Sequence, residues 1–465
     1  MSMWHWINLF FQTLILIYMF IVIGVYVIML IFSLIELYRG RNISRESVDE
    51  ELQDVDYVYP LSILVPAYNE SINIINTVQS LLSSRYPEYE IIIINDGSKD
   101  DTLEVAITHF KMKKVHRVIQ TTLPSKDVRG IYQSTIDPRI LMIDKENGGK
   151  ADSLNSGINL SKYPYFCSID GDCILGETSL VQVMEAFVKD PNVIAAGGNV
   201  KIANGSDIQM GTLMRYGMSD KPLVMMQVIE YFRAFLMGRI TFSRFNMVFI
   251  ISGAFSIFSK KEVVEVGGYL RDTIGEDMEL VVRLHRLIRK KQKSKKIKFL
   301  PYPVCWTEAP ETYQQLKRQR SRWHQGLMES LWRNKQIFAN PKYGKLGFIA
   351  FPYFLFIECL GPIIEFAGYL YVIFAFFTGG VYLEFALLLL LLFVINGALF
   401  SMVSVIMESW LMKRYISVKD IWRLFVLAIT EIFWYKPCTL WFRLLGLWNY
   451  ARGKSSWGEM VRKGL

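Results

Sequence analysis

Cysteine is scarce: five occur among 465 residues, at Cys167, Cys173, Cys305, Cys359 and Cys438, with neither metal-ligand nor disulfide spacing. That scatter excludes a disulfide framework and a zinc cluster, and it fits a reduced, cytosol-facing catalytic region. The net charge is +9, yet no recognition-helix signature or aromatic RNA-binding motif accompanies it. Lipid headgroups or nucleotide phosphates are therefore the anions expected, and nucleic acid is not a partner. Charge is also missing from Trp6 up to Glu36, an apolar stretch longer than the ~20 residues needed to cross a bilayer core. The stretch lacks a basic start and a small-residue cleavage site, so a retained transmembrane helix is expected in preference to a signal peptide.

What is present is apolar at both ends and mixed in the middle: hydrophobic residues make up 52% of the chain, more than a soluble enzyme of this length needs. The expected division is a transmembrane helix over 1–38, a linker over 39–56, a globular domain over 57–310, an interfacial helix region over 311–345, and membrane and interfacial helices over 346–465. Arg39, Arg41 and Arg45 flank the first helix and place the following domain in the cytoplasm of a multi-pass plasma-membrane protein. Leu346 to Thr378 is long enough to span, with a kinked start at Pro352 and Pro362, and Glu358 and Glu365 should face protein or a wet cavity. Val381 to Met407 is a second such run. Leu424 to Trp448 is interrupted by Glu431, Pro437 and Arg443, and its pattern leaves spanning, folding back and lying at the interface all open. The basic run Arg286 to Lys298 reads as a solvated face, with an anionic-lipid contact as the alternative.

The middle domain alternates apolar runs with turns and helices. Leu61 to Val65 ends at Pro66, and a helix follows over Ser71 to Leu82, capped by Asn69 or Ser71. Glu90 to Ile94 ends at Asn95-Asp96-Gly97-Ser98, with another helix beyond. This order predicts a parallel sheet, whose ligands bind beyond the carboxyl ends of the strands, where Asn69, Glu70, Asp96, Asp170 and Asp172 fall. Thr121 to Pro138 reads as an irregular surface insertion, Met214 to Met237 as one long amphipathic helix, and Phe249 to Phe258 as a buried strand pair around a small-residue turn.

Asp170-Gly-Asp172 closes the apolar run from Tyr165. Side chains two apart on an extended segment point the same way, so both carboxylates can face one hard divalent cation; an ordinary polar turn gives the same three residues. The strand-end placement favours the first reading. Gly148-Gly149-Lys150 opens a helix and offers either a phosphate or base-edge contact or a plain helix entry. Near Gln319-Arg-Ser-Arg322-Trp323, helical spacing puts Gln319, Arg322 and Trp323 on one face, suited to a diphosphate and a sugar ring, or to an interfacial anchor.

Taken in order, Pro66-Ala-Tyr68-Asn-Glu70, Asn95-Asp96-Gly-Ser, Gly149-Lys150-Ala, Asp170-Gly-Asp172, Glu276-Asp277 and Gln319-Arg-Ser-Arg322-Trp323 resemble the processive inverting family-2 glycosyltransferases, which make cellulose, chitin, hyaluronan and poly-N-acetylglucosamine. The resemblance covers about Tyr57 to Asn340. It implies an α/β GT-A fold (Rossmann-like, mostly parallel sheet) as a cytoplasmic domain inserted between transmembrane helices, using a UDP-sugar with Mg2+ or Mn2+. It implies that Tyr68, Glu70, Asp96 and Lys150 hold the nucleotide, with Asp96 at the uridine. Asp170 would sit by the diphosphate and Asp172 on the metal, with Asp170 as the other acidic donor. Asp277 would be the general base, with Glu276 beside it in the catalytic pair. Gln319 and Arg322 would bind the diphosphate and Trp323 the acceptor. Gly275 stands where these enzymes commonly carry threonine, which puts fine positioning of the base in doubt.

By likeness the chain is most similar to bacterial poly-N-acetylglucosamine-type synthases, a growing polysaccharide is the expected acceptor, and a small membrane partner subunit is expected. Two other readings stand beside it: a single-sugar transferase acting on a polyprenyl phosphate, which commonly lacks the Gln-x-x-Arg-Trp helix, and a catalytically inactive membrane nucleotide-binding protein, against which the intact Asp170, Asp172 and Asp277 count.

Overall fold

A computed structural model describes residues 3–44, 58–291, 294–377, 383–412 and 417–453. Arg45 with the rest of the expected linker, Lys293, Thr378, Val381, Lys413, Arg414, Lys454, Arg462 and Lys463 lie outside the described residues. The chain folds as two compact units. One takes Arg39–Ser219 and Phe242–Ala309; the other takes Met1–Tyr38, Asp220–Thr241 and Pro310–Trp457.

The first unit is built on strands β1 (Leu61–Ala67), β2 (Tyr89–Asn95), β3 (Met112–Val115), β4 (Val128–Ser134), β5 (Ile140–Lys145), β6 (Tyr165–Ile169), β7 (Cys173–Leu175), β8 (Val193–Ile202), β9 (Asp207–Gln209), β10 (Thr212–Arg215), β11 (Phe255–Ser259) and β12 (Lys296–Thr307). β9 and β10 form a separate hairpin, and the other strands make one sheet in the order β3-β4-β5-β2-β1-β6-β11-β8-β12-β7. Isoleucine and leucine fill β1, β2 and β5 without alternation because helices cover both faces there, and Ile63, Leu64, Ile91 to Ile94 and Ile140 to Ile143 are all buried.

The sheet is mixed where a mostly parallel one was expected. β1 runs parallel to β2 and β6, and β2 to β5, but β11 enters antiparallel between β6 and β8, and β3, β4 and β7 are also antiparallel to their neighbours. β8 and β12 are parallel again. The stretch expected to be an irregular insertion contains β4, whose place near the sheet edge leaves it half-buried and polar enough to read as loop. β1 continues through Pro66 to Ala67. Its pairing with β6 ends at Leu64, so the missing proline N–H leaves no ladder bond unmade on that side.

Three local expectations also change. The first middle-domain helix is Ile74–Leu82 with Asn73 at its N-cap, because Asn69 and Ser71 are engaged elsewhere. Of the expected strand pair only β11 is a strand. The long helix expected over Met214 to Met237 instead begins as the end of β10 and becomes helical only at Pro222, where the fixed φ of proline suits the first helical position.

The second unit is helical. Met3–Ser44 is one helix that takes in the first residues of the expected linker. Pro222–Phe232 continues into π-helical turns over Arg233–Arg239, and Tyr313–Arg333 carries a capping box in which Thr312 and Gln315 satisfy each other's backbone N–H groups. Π-helical turns over Leu346–Ala350 and Tyr353–Cys359 precede Gly361–Phe377, with a 40° bend, and Leu383–Met412 follows. The stretch left open above is a single helix, Val418–Ala451, running through Pro437.

Several ionisable side chains inside this unit are paired. Arg233 donates to Glu431 (2.7 and 3.0 Å) and Ser401, Arg320 to Glu230 (2.6 Å), and Arg443 to the Glu358 carbonyl (2.5 Å). Tyr353 holds the Glu358 carboxylate at 2.8 Å, and Lys436 lies 3.6 Å from Glu365. Among the described residues one helix, Leu9–Arg39, is long and apolar enough to cross a membrane, and the bent pair Leu346–Cys359 with Gly361–Tyr371 makes a second if it is one span.

Candidate active site

The loops that leave β1 and β2 are laced to each other. Asn69 sits at φ +57°, a conformation asparagine tolerates better than most residues. There its N–H donates to Ser98 Oγ (3.1 Å) while its Oδ1 accepts from the Lys99 N–H (2.8 Å). The Glu70 N–H donates to Thr102 Oγ1, and the Ser71 N–H to Asp100 Oδ2. Tyr68 is left half-exposed above this lacing, and Glu70 is buried with Asn73 donating to its carboxylate (3.2 Å).

Asp96, just past β2, has a buried carboxylate turned toward the next loop. Its oxygens accept from Lys145 Nζ (2.6 Å) and from the N–H groups of Gly148 (3.0 Å) and Gly149 (2.7 Å), so it moulds the turn that opens the helix Lys150–Leu160. Lys145 is fully buried and also pairs with Asp152 at 2.7 Å. Burial alone would raise the Asp152 pKa, but Lys145, the Lys126 N–H and Arg271 overcome it and hold the carboxyl below its ordinary value. Sequence reasoning passed over Lys145; the signal was the charged pair Asp144-Lys145 closing the apolar run Ile140 to Ile143, which does not reveal its partners.

Lys150 joins the remaining candidates. Its Nζ lies 2.5 Å from Asp170 Oδ1 and 4.0 Å from Glu276 Oε1, and donates to the Gly253 carbonyl (3.2 Å). The Gly253 N–H in turn donates to Asp277 Oδ2 (3.1 Å), while Asp277 Oδ1 accepts from the Met278 N–H (2.8 Å). Asp170, Lys150, Glu276 and Asp277 thus form one cluster drawn from the end of β6 and the starts of two helices. Burial works against the Lys150 ammonium, but Asp170, Glu276 and Asp277 outweigh it and hold its pKa above the ordinary lysine value. The carboxylates at the start of Glu276–Lys290 suit the positive end of that helix. At Gly275, whose side chain supplies no hydroxyl, the backbone N–H donates to the Thr273 hydroxyl (3.3 Å).

Asp170 is a third exposed and Asp172 buried, and a carboxylate oxygen of each lies within 4.8 Å of the other and of Cys173 Sγ. A hydrogen bond with Cys305, burial and the Asp172 charge push the Cys173 thiol well above its ordinary pKa, so it stays protonated. The donors offered are two hard oxygens, a set that fits Mg2+ or Mn2+ better than a soft metal.

Gln319, Arg322 and Trp323 lie in the helical unit, on Tyr313–Arg333. Gln319 is buried with its Oε1 unpaired, and Trp323 is 43% exposed with the Arg320 guanidinium stacked 4.5 Å over its ring. Arg320, which the sequence pattern did not single out, is therefore the cation that meets the indole.

A GT-A-like mixed sheet with acidic side chains gathered at its carboxyl-end loops defines a glycosyltransferase-type fold. The chain belongs to the family described as glycosyl transferase family group 2, which matches residues 167–445; the description glycosyl transferase family 2 matches residues 62–265. It is 34% identical over 283 residues to a poly-beta-1,6-N-acetyl-D-glucosamine synthase of Staphylococcus aureus (strain COL), covering 60% of this chain and 58% of that protein. A synthase of the same name from Staphylococcus epidermidis is 34% identical over 290 residues, covering 62% and 58%. The chain therefore spans under two thirds of the length of these relatives. Among solved structures, a mannosyltransferase from Pyrobaculum calidifontis in complex with GDP-Man and Mn2+ is similar over 93% of this chain and 99% of its own, with TM-score 0.50 and 14% identity, a likeness of fold alone.

Proposed function

We propose that this protein is a membrane-embedded inverting glycosyltransferase that polymerises a nucleotide-activated sugar, of the UDP-N-acetylhexosamine kind, into a beta-linked exopolysaccharide. The observation that carries the reading is the chain of contacts from Asp170 through Lys150 and Gly253 to Asp277, beside the second carboxylate of Asp172. It supports the reading because Lys150 and Asp170 can serve a departing diphosphate while the Asp277 carboxylate can serve as a base in the same frame.

Asp277 takes the proton from an acceptor hydroxyl as that oxygen bonds to the anomeric carbon, while the bond from that carbon to the diphosphate oxygen breaks and the nucleoside diphosphate departs. General base assistance of this kind typically contributes ~10²–10⁴-fold. Tyr68, Glu70, Asp96 and Lys150 hold the nucleotide end of the donor, and Glu276 sits beside Lys150 and Asp277. Asp170 and Asp172 would hold a Mg2+ or Mn2+ ion, which supplies charge neutralisation on the diphosphate. Gln319 and Arg322 contribute to diphosphate binding, and the exposed indole of Trp323 offers a face to the acceptor sugar.

The domain division from residue 38 to residue 346 given above, with the sheet unit cytoplasmic and helices on either side crossing or lining a plasma membrane, belongs to the same proposal. So do translocation of the product and a small membrane partner subunit. The polar pairs around Arg233, Arg320 and Arg443 support it, because ionisable groups retained among apolar helices mark wet or functional paths.

The test is incubation of the purified membrane protein with Mn2+ and a panel of radiolabelled UDP-sugars, followed by sizing of the product. A ladder of oligomers supports the proposal. One lipid-linked sugar would replace it with a polyprenyl-phosphate transferase, and no UDP release from any donor would leave a nucleotide-binding protein without transfer activity.

A further inference from the structure

We propose that Gly253 is a positioning residue: its two backbone polar groups set the distance between Lys150, on the leaving-group side, and Asp277, on the acceptor side. The inference rests on the functional reading above.

Gly253 lies in the segment between the helix Ile240–Arg244 and β11, where the sequence reads Ile251-Ser-Gly-Ala254. Its carbonyl accepts from Lys150 Nζ at 3.2 Å and its N–H donates to Asp277 Oδ2 at 3.1 Å, so one residue touches both functional groups without a side chain of its own. The N–H and carbonyl of one residue are separated by a single soft torsion, ψ, whereas a lysine and an aspartate facing each other directly would adjust through several rotatable side-chain bonds. Gly253 therefore works as a short spacer with little freedom.

A Cβ has room here only if the Lys150 ammonium moves. A methyl group built on Gly253 would stand 2.8 Å from Lys150 Nζ and 3.4 Å from Asp277 Oδ2. The first approach is too close and the second is ordinary contact, so an alanine would displace the ammonium and leave the carboxylate in place. Gly253 is also absent from the positions with positive φ, so alanine fits its backbone without strain. Substitution here should disturb the site and spare the fold.

The experiment is a double-mutant cycle on the full chain in membranes, with Gly253→Ala, Lys150→Ala and the double variant, reading UDP release from the donor that wild type uses, UDP affinity in Mn2+, and the thermal midpoint. Gly253→Ala is expected to lower kcat by about ten-fold or more, the scale of loss that small misplacements cause. UDP affinity in Mn2+ should fall as well, because the displaced Lys150 holds the nucleotide, and the thermal midpoint should not move. In the Lys150→Ala background the ammonium is gone, so Gly253→Ala should cost little further.

A kcat for Gly253→Ala within two-fold (~) of wild type would overturn the inference. So would losses that add in the double variant, or a kcat loss matched by a fall in the thermal midpoint, since these belong to a packing role. Wild-type protein that releases no UDP from any donor would instead overturn the functional reading on which this rests.

Discussion

Asp172 and Asp277 separate the two halves of the proposed chemistry, because one lies in the acidic pair proposed for the cation and the other receives a backbone N–H from Gly253. Asp172→Asn is expected to weaken Mn2+-dependent UDP affinity by about ten-fold or more, a loss on the scale of one charge-assisted contact, read by titration calorimetry. Unchanged affinity would remove Asp172 from the metal site. Lys145 makes a different prediction. Removing one partner of a buried ion pair leaves the other uncompensated, so Lys145→Met should cost roughly 3–5 kcal/mol in chemical denaturation of the sheet unit. At this scale the sequence was uneven. The grouping of Asp170 with Asp172 was legible because side chains two apart at the end of an apolar run can face the same way. Lys145 and Gly253 were not, since their partners are 49 and 103 residues away (Asp96 and Lys150) and nothing local marks the pairing.

The helix Glu276–Lys290 carries Asp277, the proposed base, at its start and anchors itself by a buried histidine further along. Burial pushes His285 down to about 4, against the pull of its 2.7 Å hydrogen bond with the Val248 carbonyl and with Arg289 adding to the downward shift. The folded state therefore holds His285 neutral below the unfolded pKa of about 6.5, and the stability this gives, roughly 3 kcal/mol, is full above that value and is lost as pH falls toward 4. Unfolding midpoints between pH 7 and pH 4 should fall in wild type, and His285→Gln should flatten that slope; an equal slope in both would contradict the assignment. In the helical unit, Gly446 lets Val418–Ala451 approach Tyr313–Arg333 so closely that a Cβ would collide with the Ser321 carbonyl. Gly446→Leu should destabilise that pairing by about 1–3 kcal/mol, the usual cost of overpacking, seen as a lower thermal midpoint in detergent. Apolar runs announced β1 and β2, whereas β4 hid behind its half-buried edge position and Val418–Ala451 behind charges such as Glu431, whose partner Arg233 lies far off in the chain.

Across the whole chain, the sheet unit carries acidic and basic groups at strand ends and helix starts, and the helical unit carries an exposed tryptophan with its stacked arginine. Their order along the chain made the family legible before the fold was known. The antiparallel entry of β11 was not, because strand direction depends on how the chain returns to the sheet and not on the residues within the strand. The central claim is cation-dependent transfer from a nucleotide sugar with Asp277 as base. Its most direct test is the rate of UDP release from UDP-N-acetylglucosamine by wild type with Mn2+, by wild type with EDTA, and by Asp277→Asn with Mn2+, each alongside UDP affinity in Mn2+. The account predicts release in the first case alone, with Asp277→Asn still binding UDP; release that survives EDTA, or an Asp277→Asn variant that turns over at the wild-type rate, would contradict it.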